Sequence, residues 1–213
     1  MAEAESVGGS KTLESANELA SGTSSVCLLN INQNTDFPRR GGAFLDQLDQ
    51  ALSGPIALHC VGGFVVSLLY GLPRPTGDVD YVAAIPRYRI EELERLAGRG
   101  SKLEAKFKVH LQHVTVVTMP EDYESRLKEM FPRRFKKLRL LAPDPYDLVL
   151  SKLERNSPKD QGDVEYLAKT IPLDPKALQE LYVRELRPNL MARQTWHDGT
   201  LEMWIGAYFS SGE

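Results

Sequence analysis

The sequence predicts an α/β or α+β fold, a small mixed β-sheet flanked by helices and followed by a C-terminal helical region. Three observations carry this. Apolar runs of strand length alternate with helical periodicities up to about residue 141, and from residue 143 only helical patterns remain. The 42% hydrophobic and 26% charged residues are the composition of an ordinary globular protein, and 213 residues suffice to bury a real core. The expected division is a flexible leader over 1–24, a sheet-containing core over 25–141 and a helical region over 142–213.

The leader is rich in Ser, Gly, Ala and Glu and has no basic or apolar segment of a signal peptide. After an irregular stretch, residues 44–52 place Phe44, Leu45, Leu48 and Leu52 on one helical stripe, stopped by Ser53-Gly54-Pro55. IALHCV (56–61) suits a buried strand; Gly62-Gly63 then turns the chain into an apolar helix closed by Gly71 and Pro73. Asp78 to Ile85 reads as a strand, 89–98 as an amphipathic helix, 107–111 and 113–119 as strands and 121–131 as a helix. Helices follow over 143–155, 159–170 and 174–186, and a short final helix carries Trp196 and Trp204.

A net charge of −3 argues against wholesale coating of nucleic acid but leaves room for a local basic groove. Cys27 and Cys60 stand apart and outside any Cys/His cluster, which gives no disulfide framework or zinc site and fits a reducing cytoplasm. The longest apolar stretch, Ala57 to Leu72, is 16 residues interrupted by His59 and three glycines, short of the roughly 20 that a membrane span needs.

The chemistry-bearing pair is Asp78 and Asp80. Two apart on a strand, their side chains share a face. Adjacent carboxylates are unfavourable unless a cation or solvent compensates, and Mg²⁺ favours this kind of oxygen cluster together with substrate phosphates. A bare Asp-x-Asp exposed at a strand edge is the competing reading. Upstream, Gly62-Gly63 follows a buried strand and opens a helix, so backbone N–H groups there can face a phosphate. Tight helix–strand packing would also call for these glycines.

The stretch VGGFVVSLLYGLPRPTGDVDYV resembles the first motif of the DNA polymerase β-like nucleotidyltransferase superfamily, with Arg74-x-Thr76-x-Asp78-x-Asp80 most like its minimal and toxin-type branches. The segment DPYDLVLSKLERNSPKDQGDVEYL resembles the Lys-Leu-x-Arg…Asp-x-x-Asp segment of AbiEii-like toxins. The resemblance implies metal binding by Asp78 and Asp80, with Asp160 as a further ligand. It implies nucleotide binding by Gly62, Gly63, Arg74, Thr76, Lys152 and Arg155, and catalytic roles for Asp78, Asp80, Lys152 and Asp163. Lys152 and Arg155 share one helix face, as do Asp160 and Asp163 on the next helix. Ser157-Pro158-Lys159-Asp160 also reads as a helix cap, which would occupy Asp160 without any catalysis, and Lys152 also fits a solvated helix lysine.

Many relatives carry a third carboxylate on a later strand. Here that strand offers His113 or Thr115, so the third acid comes from Asp160 or Asp163, or the site holds one metal, or it is weakened. RRFKKLR (133–139) gathers five cations in seven residues; a solvated charged strand or loop is the commoner meaning, a groove for RNA or triphosphate the other. His59, inside an apolar strand, reads as a hydrogen-bonded core residue. The expected function is Mg²⁺-dependent transfer of a nucleoside monophosphate from an NTP to an RNA (tRNA in the toxin-like relatives), protein or small-molecule hydroxyl. The resemblance suggests a toxin with an antitoxin partner. The alternative is a nucleotide-binding or interaction module of the same fold that is weak or inactive.

Overall fold

The computed structural model describes residues 37–209. The leader read over 1–24, the irregular residues to 36 and Cys27 lie outside the described residues.

Five strands form one mixed sheet: β1 (Ile56–Cys60), β2 (Asp78–Ile85), β3 (His110–His113), β4 (Lys128–Glu129) and β5 (Leu138–Ala142), in the spatial order β3-β2-β1-β5-β4. β1 runs antiparallel to β2 and parallel to β5, β3 parallel to β2, and β4 antiparallel to β5. α1 (Phe37–Ala51), α2 (Gly62–Tyr70), α3 (Ile90–Ala97) and α4 (Lys102–Phe107) belong to the sheet-bearing part. After β5 the described chain is helical: α5 (Pro145–Leu150), α6 (Pro158–Thr170), α7 (Pro175–Leu181) and α8 (Gln194–Tyr208). Both parts share one apolar core, in which Leu58, Phe64 and Tyr81 from the sheet side join Leu148, Val164, Leu201 and Trp204 from the helical side. Tyr166 of α6 donates its hydroxyl to the Tyr70 carbonyl at the end of α2 (2.9 Å), which docks the helical region beside the sheet.

Several elements differ from the sequence expectation. α1 starts at Phe37, not at 44, and runs through Gly41-Gly42. A Cβ on Gly42 would come within 2.9 Å of the Arg134 side chain, so this glycine makes room for Arg134 to cross the helix and pair with Asp46 (3.0 Å). Of the strand expected over 107–111, Phe107 is the last residue of α4, and His110 and Leu111 begin β3. Ser101 caps that helix and Lys108, at φ 58°, ends it in the left-handed conformation that closes helices. β3 is therefore only His110–His113, and residues 114–119 run on without regular structure.

The helix expected over 121–131 is a single 3₁₀ turn (Tyr123–Arg126) and then β4. Arg126 is drawn instead into a fork on the fully buried Asp147 (2.8 and 2.9 Å) and onto Glu185 (2.7 Å). The charge-dense 133–139 run ends in a strand, β5, that hydrophobicity alone does not reveal. Three of its five cations have protein partners there: Arg134 pairs with Asp46, Arg139 with Glu129, and Lys137 Nζ donates to the Gln50 carbonyl. His59 is buried with its Nδ1 3.0 Å from the Tyr123 hydroxyl.

Asp49 fixes β5 from a distance. Its carboxylate accepts the backbone N–H groups of Lys136 (3.1 Å), Lys137 (2.7 Å) and Leu138 (2.8 Å), replacing pairing that this sheet entry would otherwise lack. Asp49→Ala leaves all three donors unmatched, a loss of about 3 kcal/mol in urea unfolding, since hydrogen bonds to charged groups run at roughly 1.5–3 kcal/mol each and are not additive. Asp49→Asn keeps acceptor capacity for part of this set and should lose less; equal losses for the two variants would contradict the assignment.

Candidate active site

β2 alternates Val79 and Tyr81 into the core with Asp78 and Asp80 on the opposite face. The parallel register with β3 sets His110 beside Asp78 and Gln112 beside Asp80. The side chain alongside Asp80 is thus neutral Gln112. His113 stacks on Tyr81 (5.1 Å, 15°), away from the carboxylates, and Thr115 lies in the exposed segment beyond β3. The position of a third acid, expected at His113 or Thr115, is taken by Gln112 in the register that β3 adopts.

The two carboxylates have unlike surroundings. The Thr76 hydroxyl donates to Asp78 Oδ1 (2.6 Å). Burial pushes Asp78 up, but this hydrogen bond and the charge of Lys159 outweigh it and hold the group below its ordinary range. Asp80 is pushed up to about 6 by burial and then by the charge of Asp78, against the pull of Lys159, Arg155 and Lys152. Its Oδ1 is buried with no hydrogen-bond partner among the described residues, the situation of an oxygen that a cation would satisfy. The pair therefore fits a hard divalent ion.

The glycines serve these carboxylates. Gly62, the first residue of α2, has φ +75°, and a Cβ there would fall 2.6 Å from Asp80 Oδ2. It lines the cleft below. A Cβ on Gly63 would fall 2.7 Å from Arg74 Nη2, so Gly63 is packed beneath Arg74 and does not line the cleft. Arg74 itself is committed to Asp163 (Nη2 to Oδ1, 2.6 Å), and Thr76 to Asp78. Of the residues expected to bind nucleotide, Gly62, Lys152 and Arg155 line the cleft, whereas Gly63, Arg74 and Thr76 stand beside it. They hold the carboxylates and the Asp163 cluster in place.

Lys152, in the turns after α5, is almost fully buried. Its Nζ donates to Asp163 Oδ2 (2.7 Å) and lies 3.7 Å from Asp160 Oδ1. Asp163 thus bridges Lys152 and Arg74. Asp160 forms a capping box with Ser157 at the start of α6 and accepts a two-point fork from Arg155 (2.7 and 2.6 Å). Burial raises Asp160, but Arg155 and Ser157 overcome it and hold the group at about 2. Both oxygens of Asp160 are thereby used, and among the described residues no group of three or more His, Cys, Asp or Glu side chains is placed to hold a metal ion. Asp160, expected as a metal ligand, lines the cleft with its two oxygens engaged in capping and ion pairing. Asp163, clamped between two cations at 1% exposure, is placed to position Lys152 and Arg74.

Asp78, Asp80, Lys152, Asp160 and Arg155 line one cavity of about 430 Å³, between the β2–β3 edge and the helical region. Lys159 lines it too. Sequence reasoning missed this residue because it stands at an exposed position of a helix cap. Its charge acts on both Asp78 and Asp80, and among the described residues no carboxylate forms an ion pair with it.

Residues 44–204 match a family model described as a nucleotidyltransferase of unknown function (DUF6036). The chain belongs to this family. No curated protein and no solved structure matches it significantly. The family match spans both the sheet and the helical part, and so takes in the Asp-x-Asp strand together with Lys152, Lys159 and Asp163. Among the described residues of this family member, no helix is long and apolar enough to cross a membrane.

The Asp80 environment gives a stability signature. Its folded value, about 6, lies above the unfolded 3.8, so the folded chain binds more protons and loses stability as pH rises from about 4 to about 6. In metal-free buffer, Asp80→Asn should stabilise the fold by about 1–2 kcal/mol above pH 6.5, discounted for partial solvent screening, and by nothing near pH 4. Thermal unfolding at the two pH values checks this; a gain of equal size at both would contradict it.

Proposed function

We propose that this family member is a Mg²⁺-dependent nucleotidyltransferase that moves a nucleoside monophosphate from an NTP to a hydroxyl of an RNA, a protein or a small molecule. The observation that carries the proposal is the convergence of Asp78 and Asp80 on one cavity with Lys152 and Lys159. The family match supports the class of reaction.

In this reading Asp78 and Asp80 would hold the divalent ion, which when bound neutralises phosphate charge and polarises the α-phosphoryl group. Lys159, with which no carboxylate among the described residues forms an ion pair, faces the triphosphate. Lys152, pinned by Asp163, adds a fixed positive charge whose orientation costs no reorganisation during reaction. The acceptor oxygen forms a bond to the α-phosphorus as the bond to the β-phosphate oxygen breaks, and pyrophosphate leaves with that electron pair. The acceptor proton passes to the Asp80 carboxylate in the same cavity and on to solvent. Transfer of this kind asks for positioning and charge more than covalent chemistry.

A second reading, a nucleotide-binding module without turnover, is favoured by one observation: neutral Gln112 stands beside Asp80, leaving two carboxylates to serve the ion and the proton. The toxin role and its antitoxin partner rest on the motif resemblance.

One experiment separates these. The protein is incubated with each labelled NTP, Mg²⁺ and total RNA or protein, beside Asp80→Ala and Lys159→Ala. Transfer predicts incorporated label, lost at least 100-fold in Asp80→Ala and reduced about 10-fold in Lys159→Ala, as expected for removing one charge that stabilises the transition state. Nucleotide binding with no incorporation supports the module; incorporation unchanged in Asp80→Ala would contradict both the metal pair and the mechanism. Growth arrest on expression, relieved by Asp78→Ala, would support the toxin role.

A further inference from the structure

The cavity has two chemistries. Asp78, Asp80, Lys152 and Lys159 make one part charged, whereas Val114, Val116 and Val117 make another part apolar, with Arg193 among the remaining lining residues. The valines continue the sheet edge beyond β3: the Val114 N–H donates to the Tyr81 carbonyl (2.9 Å), which carries the segment past Asp80. Val116 is 76% exposed and lines the cavity, so its branched apolar side chain is open to whatever occupies it.

Arg193 is held with more care than a surface arginine needs. It precedes α8 in the left-handed conformation (φ 66°), which non-glycine residues seldom adopt. Its guanidinium lies 5.2 Å over the Trp196 ring and pairs with Glu154. Glu154 is anchored in turn by the buried His197, whose Nε2 is 2.7 Å from Glu154 Oε2. Trp196 donates its indole N–H to the Leu153 carbonyl (3.2 Å), fixing the platform below the guanidinium. The result is an oriented planar cation at the edge of a cavity that also presents branched apolar side chains.

We infer that Arg193 and the Val114–Val117 segment form the subsite that holds the nucleobase of the bound nucleotide. The inference rests on the nucleotidyltransferase reading and deepens it. A heteroaromatic ring is the ligand chemistry that both partners recognise: guanidinium groups stack on base faces, and branched apolar side chains cover them without selecting among bases. Phosphates and sugars offer no such face. The assignment divides the cavity into a base end on Arg193 and the valines and a phosphate end on Lys159, Lys152 and the aspartates.

The test compares NTP with inorganic tripolyphosphate as probes, titrated calorimetrically with Mg²⁺ into the wild-type chain and Arg193→Lys. The lysine keeps the charge and a partner for Glu154 but loses the planar face. NTP binding should weaken about 10-fold in Arg193→Lys, in keeping with the worth of one stacked base, while tripolyphosphate binding stays unchanged. Equal weakening of both probes would place Arg193 at the phosphates and overturn the inference, as would no change in either. A second measurement needs no variant at that position: NTP, but not tripolyphosphate, should alter the fluorescence of Trp196, with Trp196→Phe as control. If the wild-type chain binds tripolyphosphate and NTP equally well, the base subsite is wrong and the phosphate site stands. If it binds neither, the nucleotidyltransferase reading fails, and the subsite with it.

Discussion

Two carboxylates side by side on one face of a strand are the constraint from which the rest of this site follows. Asp78 and Asp80 are placed together by the two-residue period of β2, and like charges in a half-buried setting raise each other's cost of ionisation. The chain answers in different ways at the two positions. Asp78 receives a hydroxyl from Thr76, while Asp80 keeps an oxygen without a protein partner and a raised affinity for its proton. Such asymmetry is what a pair needs if it is to hold a cation and not simply repel itself.

The cations around this pair are organised by a second layer of acids. Asp163 grips Lys152 and Arg74 together, and Arg74 in turn lies on Gly63. Because Lys152 comes from the helical region and Arg74 from the turn before β2, this clamp joins the two parts of the chain at the cleft. Asp160 does a related task for Arg155 while capping α6. Breaking one partner of a buried pair leaves an uncompensated charge, so substitutions at Asp163 report on folding before they report on chemistry. Lys159 differs in having no carboxylate partner among the described residues, and its charge faces the cavity.

What was legible in the sequence was what is local. The spacing of Asp78 and Asp80, the apolar α2 between two glycines and the Ser157-Pro158 start of α6 depend on neighbours a few residues away, and each is present in the structure. Long-range partnerships were not legible. β5 is made from a charge-dense segment because Asp49, some 88 residues earlier, supplies its entry hydrogen bonds. Residues 121–131 fail to be a helix because Arg126 is taken by Asp147 and Glu185. Gln112 beside Asp80 depends on where α4 ends, and that is set by Lys108 adopting a left-handed conformation. The pairing of Arg74 with Asp163, about ninety residues away, and its packing on Gly63 were not legible for the same reason.

The central claim is that Asp78 and Asp80 form a divalent-cation site. Titration with Mn²⁺ followed by electron paramagnetic resonance tests it without any substrate or acceptor. The account predicts saturable binding by the wild-type chain that Asp80→Asn abolishes while the fold persists. Binding that Asp80→Asn leaves unchanged, or no binding by the wild-type chain, would contradict it.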